Sequence, residues 1–411
     1  MYREDELIAV ARRENNLKRN YLAVNRKQGK HVPVSPEEAF SLYRALADEI
    51  RHEYEGQRLL VIGFAETATA IGAALAVELD SLYMQTTREE LDDVKYLFFS
   101  ESHSHATEQK LVKDDLDRVM RVFRDAGSAV IGDIKRENVE SENIRSENIG
   151  GGDAGRGEIE SIDRILFTED ELTTGSTILS AIGAIERAYG DAGRKISFSA
   201  VSILNGMDEA ALKRYEERNV GLHFLIKTDH ERYSHLAERY RGDGSYHEAM
   251  LTEPRRRIQE WDIAGGLNAR RMVRASEYQE RCGILAEKVL EETDFRPGQR
   301  ILVLGTEEFM YPALFFGRTL EEKGVLVKSH STTRSPIVVS SEPEYPLHRR
   351  YQLVSLYDSR RTTFIYDLEK YDKVIVLTDA RRMTEEGRRS LANALIHSGN
   401  EEICFVRWSE G

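Results

Sequence analysis

Residues 163–180 read DRILFTEDELTTGSTILS, and this stretch constrains the chain more tightly than any other. Ile165, Leu166 and Phe167 form a short apolar run, as a strand buried on both faces of a parallel sheet requires. Glu169 and Asp170 come next, followed after two residues by Thr173, Thr174, Gly175, Ser176 and Thr177. A helix is expected from about Ser176, turning Ile178, Leu179, Ile182 and Ile185 inward.

That order has a chemical consequence. A hydroxyl-rich loop with a glycine, set between a strand and a helix N-terminus, directs N–H groups, hydroxyls and the positive end of the helix dipole at one spot, which favours a phosphate. Gly175 lets the backbone approach the anion closely. The two carboxylates just ahead can accept hydrogen bonds from the vicinal hydroxyls of a sugar attached to that phosphate. An N-capping threonine alone would need one hydroxyl, not five ordered residues after paired acids.

Hydrophobic strand, two acids, two spacers and T-T-G-x-T resemble the 5-phosphoribosyl-1-pyrophosphate (PRPP) loop of type I phosphoribosyltransferases. The family pattern usually has Asp first, where this chain has Glu169. The resemblance implies that Thr173–Thr177 hold the 5′-phosphate. It also implies that Glu169 and Asp170 hold the ribose hydroxyls, directly or through Mg²⁺.

The chain of 411 residues has room for two or three domains with large cores. Its net charge of −13 gives no overall basic footprint for nucleic acid. No apolar run is long enough to span a bilayer, and the first residues, MYREDELIAVARREN, are too charged for a secretory signal. Cys282 and Cys404 are isolated and form neither a metal motif nor a disulfide framework, so a cytoplasmic location is expected.

Residues 1–20 read as a charged helix, and the polar loop Asn25–His31, with Lys30 and His31, as a hood over the base or as a solvent loop. In RLLVIGFAETATAIGAALAVEL (58–79), a buried strand turns at Gly63 into a small-residue helix. This has the position of the family's pyrophosphate loop, which places Ala65, Glu66 and Thr67 against the anion. Glu66 is the unusual residue there, and three roles stay open: pointing away, capping the helix or contacting metal-bound water. Further on, Thr87 and Arg88 end a strand, and ESHSH carries His103 and His105 on one side of an extended segment. H-x-H without a second ligand group is weak as a zinc motif. The family position instead gives Arg88, His103, His105 and Lys110 to the mobile loop that closes over pyrophosphate. An ordinary solvated hairpin is the plain alternative. Residues 135–160 read as a flexible insertion.

Residues 299–411 restart with strand, glycine and helix, and then reach Thr333-Arg334-Ser335-Pro336. That tetrapeptide resembles the signature of the TRSP domain, which follows a phosphoribosyltransferase domain in tellurium-resistance gene neighbourhoods. VIGFAET…YMQTTREE in the first half parallels VLGTEEF…KSHSTTRSP in the second, and KVIVLTDARRMTEEG parallels RILFTEDELTTGST without its phosphate cradle. The second half is therefore expected to be a degenerate copy of the first, with Glu307, Glu308, Arg334, Ser335 and Asp379 lining a second pocket.

The expected architecture is α/β. A doubly wound, mostly parallel sheet over residues 1–255 leads through a helical linker at 256–298 to a smaller α/β domain at 299–411. The expected function is Mg²⁺-dependent transfer of phosphoribose from PRPP to a base-like acceptor. Homodimerisation is compatible with this, and no nucleic-acid or membrane partner is expected. The other class of reading is a non-catalytic PRPP- or ribonucleotide-binding module. A third runs the reaction backwards.

Overall fold

The computed structural model describes residues 2–14, 19–99, 109–120, 161–191 and 195–410. His103, His105 and the insertion at 135–160 lie outside the described residues.

The strands in chain order are β1 Ile8–Arg12, β2 Tyr21–Asn25, β3 Leu59–Gly63, β4 Leu82–Gln85, β5 Tyr96–Phe99, β6 Gln109–Val112, β7 Arg164–Leu172, β8 Ser197–Asn205 and β9 Gly221–Lys227. The second half adds β10 Ser245–His247, β11 Gln259–Ala264, β12 Val273–Arg274, β13 Arg300–Gly305, β14 Leu326–Ser331, β15 Arg349–Val354, β16 Thr362–Tyr366, β17 Lys373–Thr378 and β18 Ile403–Ser409. The first large sheet has the order β12-β4-β3-β7-β8-β9. All its pairs are parallel except that of β12 with β4. The central strands β3 and β7 are apolar and buried because helices cover the sheet. The fold is α/β, with a second α/β region after the first.

The second sheet, β11-β18-β17-β13-β14, is parallel throughout. Its five strands each have a counterpart in the first sheet: β14-β13-β17-β18 runs in the order of β4-β3-β7-β8, with β11 at the edge that β9 takes, and β12 alone is unmatched. The registers agree as well. Gly63 pairs with Thr168 and Gly305 with Leu377, which makes Asp379 the counterpart of Asp170. Both turns repeat the same hydrogen bonds. Thr86 N–H donates to Gly63 O at 2.9 Å and Thr332 N–H to Gly305 O at 3.2 Å. Ala65 N–H donates to Thr86 Oγ1 at 2.8 Å and Glu307 N–H to Thr332 Oγ1 at 3.0 Å. A Cβ on Gly63 or Gly305 would meet the carbonyl of Ala68 or Phe309, at 2.9 and 2.5 Å, so both tight turns need glycine.

The structure departs from the sequence reading in two places. Residues 1–20 hold only a short helix, Glu4–Leu7; the apolar Ile8–Ala11 is strand β1, buried in a hairpin with β2. Residues 256–298 are more than a helical linker. They give β11 to the second sheet and β12 to the first before the helix Ala275–Glu292. Ser35 stands at the N-cap of the helix Pro36–Arg51, but its hydroxyl donates to Glu321 at 2.7 Å, and Glu321 also accepts Glu37 N–H at 2.8 Å. A carboxylate of the second half thus caps a helix of the first.

One continuous hydrophobic core runs from Leu60 and Phe167 to Ile301, Phe316 and Trp408, so the halves share an interior. A smaller core joins the first hairpin (Ala11, Leu22, Val24) to Ile337, Val339, Tyr345 and Tyr366. No helix among the described residues is long and apolar enough to cross a membrane.

Candidate active site

The carboxyl ends of β3, β4 and β7 bring the sequence-selected loops together. β7 runs through Leu172, so Glu169 and Asp170 stand on the strand itself. Gly175 is the N-cap of the helix Ser176–Tyr189, at φ +63°. A Cβ there would lie 2.4 Å from both Met207 Cε and Tyr215 Oη, and Tyr215 Oη donates to Gly175 O at 2.8 Å. Thr174 Oγ1 and Ser176 Oγ lie 2.9 Å apart, which keeps the cradle hydroxyls together.

Thr67 Oγ1 donates to Asp170 Oδ1 at 2.9 Å, joining the β3 turn to the acid pair. Burial, with Glu171 nearby, raises the Asp170 carboxyl above its ordinary range, while the Thr67 bond acts against this. Ala65 N–H is already taken by Thr86 and is not offered to an anion. Glu66 and Thr67 N–H carry no hydrogen bond among the described residues. The Ala65–Glu66 peptide is cis.

Glu66 turns away from this edge into the interface between the sheets. Its Oε1 accepts Lys30 Nζ at 2.5 Å, and Lys30 is fully buried. Lys30 also donates to the carbonyls of Glu307 and Thr332, at 2.9 and 3.0 Å. Lys30 is therefore a structural counter-ion, not a group on an open hood. His31 is buried beside it, and burial followed by the Lys30 charge holds its imidazole well below the usual range.

On the facing side, Glu308 accepts Thr87 Oγ1 at 2.7 Å, Arg88 N–H at 2.9 Å and Arg270 Nε at 3.0 Å. Arg334 donates through Nε to Glu307 at 2.8 Å and through Nη2 to Glu89 at 2.5 Å, while its backbone N–H reaches Glu66 at 3.3 Å. Arg361 holds the same two acids, Glu89 at 2.6 Å and Glu307 at 2.9 Å. Asp379 is engaged by Arg270 and by Tyr357 Oη, the latter at 2.7 Å. Ser335 N–H turns back to Thr333 Oγ1 at 3.2 Å. Glu307, Glu308, Arg334 and Asp379 do meet, but as an ion-paired seam against the first sheet rather than as a separate open pocket.

Residues 7–133 match the family model described as "Phosphoribosyl transferase", and residues 268–395 match "TRSP domain C terminus to PRTase_2". The chain belongs to the phosphoribosyl transferase family that carries a C-terminal TRSP domain. No curated protein matches it. Solved structures similar to this chain include adenine phosphoribosyltransferase from Rhodothermus marinus. It is 13% identical, with a TM-score of 0.32, over 55% of this chain and 96% of that one. The Trypanosoma brucei adenine enzyme, solved with AMP, pyrophosphate and ribose-5-phosphate, is 12% identical with a TM-score of 0.33, over 55% and 77%. A Staphylococcus aureus hypoxanthine phosphoribosyltransferase is 15% identical with a TM-score of 0.22, over 48% and 78%.

The T-R-S-P segment also touches the hairpin ahead of the site. Glu14 N–H donates to Pro336 O at 3.1 Å and Val338 N–H to Arg12 O at 2.9 Å. Sequence reasoning missed Glu89, Arg270 and Arg361, whose partners are far away along the chain. It also passed over Glu171, which pairs with Arg19 and lies 3.2 Å from His230 Nε2. Glu171 directly follows the acid pair, so its position was the available signal.

Proposed function

We propose that the chain transfers 5-phosphoribose from PRPP to a nucleobase-like acceptor and releases pyrophosphate. The observation that carries this reading is the Thr67–Asp170 hydrogen bond, which joins the pyrophosphate-loop candidate to the ribose acids beside the phosphate cradle. In this reading Thr173–Thr177 hold the 5′-phosphate, and Glu169 and Asp170 hold the ribose hydroxyls. Glu66 and Thr67 N–H face the leaving group, with Arg88 nearby. The C1′–O bond breaks with its electron pair going to pyrophosphate, the acceptor nitrogen bonds C1′, and the acceptor gives up its proton. The transition state is oxocarbenium-like, so positioning and stabilisation of the leaving anion supply the catalysis.

Among the described residues no group of three or more His, Cys, Asp or Glu could hold a metal ion. Glu169 and Asp170 nevertheless suit Mg²⁺, a hard cation that takes one or two carboxylates and fills its shell with water and phosphate. When bound there, Mg²⁺ would neutralise charge on the pyrophosphate. The link to tellurium resistance and a role in making a nucleoside-like metabolite belong to this proposal.

The test is calorimetric titration of PRPP with Mg²⁺ into wild type and Asp170→Asn, followed by a pyrophosphate-release screen over purine and pyrimidine bases. Binding that is lost in the variant, with release for one base, supports transfer. Absence of PRPP binding to wild type sinks the reading. Binding without release for any base would favour a non-catalytic PRPP or ribonucleotide module.

A further inference from the structure

We infer that Arg334 of the C-terminal domain is a binding residue of the pyrophosphate subsite on the first sheet. This rests on the phosphoribosyl-transfer reading and deepens it. The two sheets are copies that face each other through their glycine turns, and the seam between them is reciprocal. Glu66, three residues after Gly63, accepts Arg334 N–H, while Glu308, three residues after Gly305, accepts Arg88 N–H. Arg88 and Arg334 therefore occupy equivalent places, each anchored on the opposite sheet's turn.

The two ends of the seam differ. On the second sheet, Asp379 takes the place of Asp170 and is filled by protein, with the buried Arg270 guanidinium spanning Asp379 and Glu308 and Tyr357 closing over Asp379. On the first sheet, Asp170 instead accepts the Thr67 hydroxyl at 2.9 Å. The proposed ligand site therefore lies on the first sheet, with Arg334 of the second held at its turn.

Arg334 is placed to serve that site without disrupting the seam. Its backbone is tied to the loop that carries the Glu66 and Thr67 amides. Its three carboxylate partners each have another cation. Arg361 holds Glu89 through both terminal nitrogens, at 2.6 and 3.2 Å, and also holds Glu307, which accepts Ser355 Oγ at 2.5 Å as well. Glu308, 3.7 Å from Arg334 Nη2, is paired with Arg270 at 3.0 Å. If Arg334 turned toward a polyanion, none of the three would be left unpaired. A guanidinium fork suits phosphate oxygens better than a point charge does. The T-R-S-P segment thus supplies part of the first domain's site.

The experiment uses the full chain with Mg²⁺ and titrates inorganic pyrophosphate and ribose 5-phosphate separately into wild type and Arg334→Gln. Pyrophosphate affinity should fall about 10-fold or more in the variant, as for the loss of one charge-assisted contact, while ribose 5-phosphate affinity stays within about 2-fold. Unchanged pyrophosphate affinity overturns the inference. Because the substitution can also disturb folding, the wild-type protein gives a second readout: phenylglyoxal modification of Arg334, followed by peptide mass spectrometry. Saturating pyrophosphate should protect Arg334 and ribose 5-phosphate should not; equal modification in all three states overturns the inference. Wild type that binds ribose 5-phosphate but not pyrophosphate removes this inference alone. Wild type that binds neither removes the transfer reading with it.

Discussion

The Glu66 carboxylate accepts the backbone N–H of Arg334, 268 residues away, at 3.3 Å. Its mirror contact, Arg88 N–H to Glu308, is 2.9 Å. Together they make the chain an internal pair of sheets whose carboxyl ends meet. The unusual acid after the Gly63 turn is thereby explained: Glu66 serves the interface between the sheets.

Lys30→Met should strongly destabilise the protein. It leaves Glu66 buried without its counter-ion, and breaking such a pair costs about 3–5 kcal/mol. Adding Glu66→Gln should recover most of the loss. Urea unfolding of the two single variants and the double variant measures this, and a single-variant loss below about 1 kcal/mol would contradict the counter-ion role.

Asp170→Asn should abolish turnover without lowering stability. Burial raises the Asp170 carboxyl, so its ionised form is a strain on the fold at neutral pH, whereas an amide oxygen can still accept the Thr67 hydroxyl. Pyrophosphate release and urea midpoints should move independently. A variant that unfolds more readily than wild type would assign Asp170 a structural role.

Gly175→Ala should impair both fold and ligand binding. The residue sits at φ +63°, and the added methyl would lie 2.4 Å from Met207 Cε. Strain of this kind costs about 1–3 kcal/mol. Ribose 5-phosphate titration of the folded variant should show weakened binding, and wild-type affinity would mean that the cradle is not the phosphate site.

Acid should expose the Glu171 ion pair. Burial alone would raise this carboxyl, but Arg19 and then His230 outweigh it and hold it down to about 2 against an ordinary 4.5. A depressed carboxyl stabilises the fold above its unfolded value, and the contribution is lost as pH falls from about 4.5 toward 2. At neutral pH it amounts to something on the order of 3 kcal/mol. The stability gap between wild type and Glu171→Gln should therefore narrow across that window. A gap that does not change between pH 5 and pH 2.5 would show that the pair contributes nothing through its charge.

Residues 1–255 alone should not unfold cooperatively. The fragment lacks β12, which pairs with β4, and the helix Ala275–Glu292, whose Tyr278, Cys282 and Leu285 are buried in the common core. Near-UV circular dichroism through a urea titration checks this, and a sharp single transition would make the first sheet an independent domain.

The stretch 163–180 was legible because its information is local. A strand, a positive-φ glycine and a helix start are set by neighbouring residues, and the hydroxyl and carboxyl groups ride on them. The repeated glycine turns and T-T-R strand ends were legible for the same reason, and the two sheets place them on strands in matching order. Strand β1 was misread because five apolar residues between charges, Leu7–Ala11, fit helix or strand until the hairpin and the second half bury them. The partners of Glu66, Glu89, Glu308 and Asp379 were not legible at all. Arg361 and Glu89 are 272 residues apart and Lys30 and Glu66 are 36 apart, and no periodicity couples them. By itself the sequence determined the two α/β units and the strand, glycine and helix start of residues 163–180, because backbone conformation and burial pattern are written in adjacent side chains. The tertiary structure alone decided which acids are neutralised and by which cations, because a buried charge takes its partner from whatever the packed sheets bring within a few ångströms.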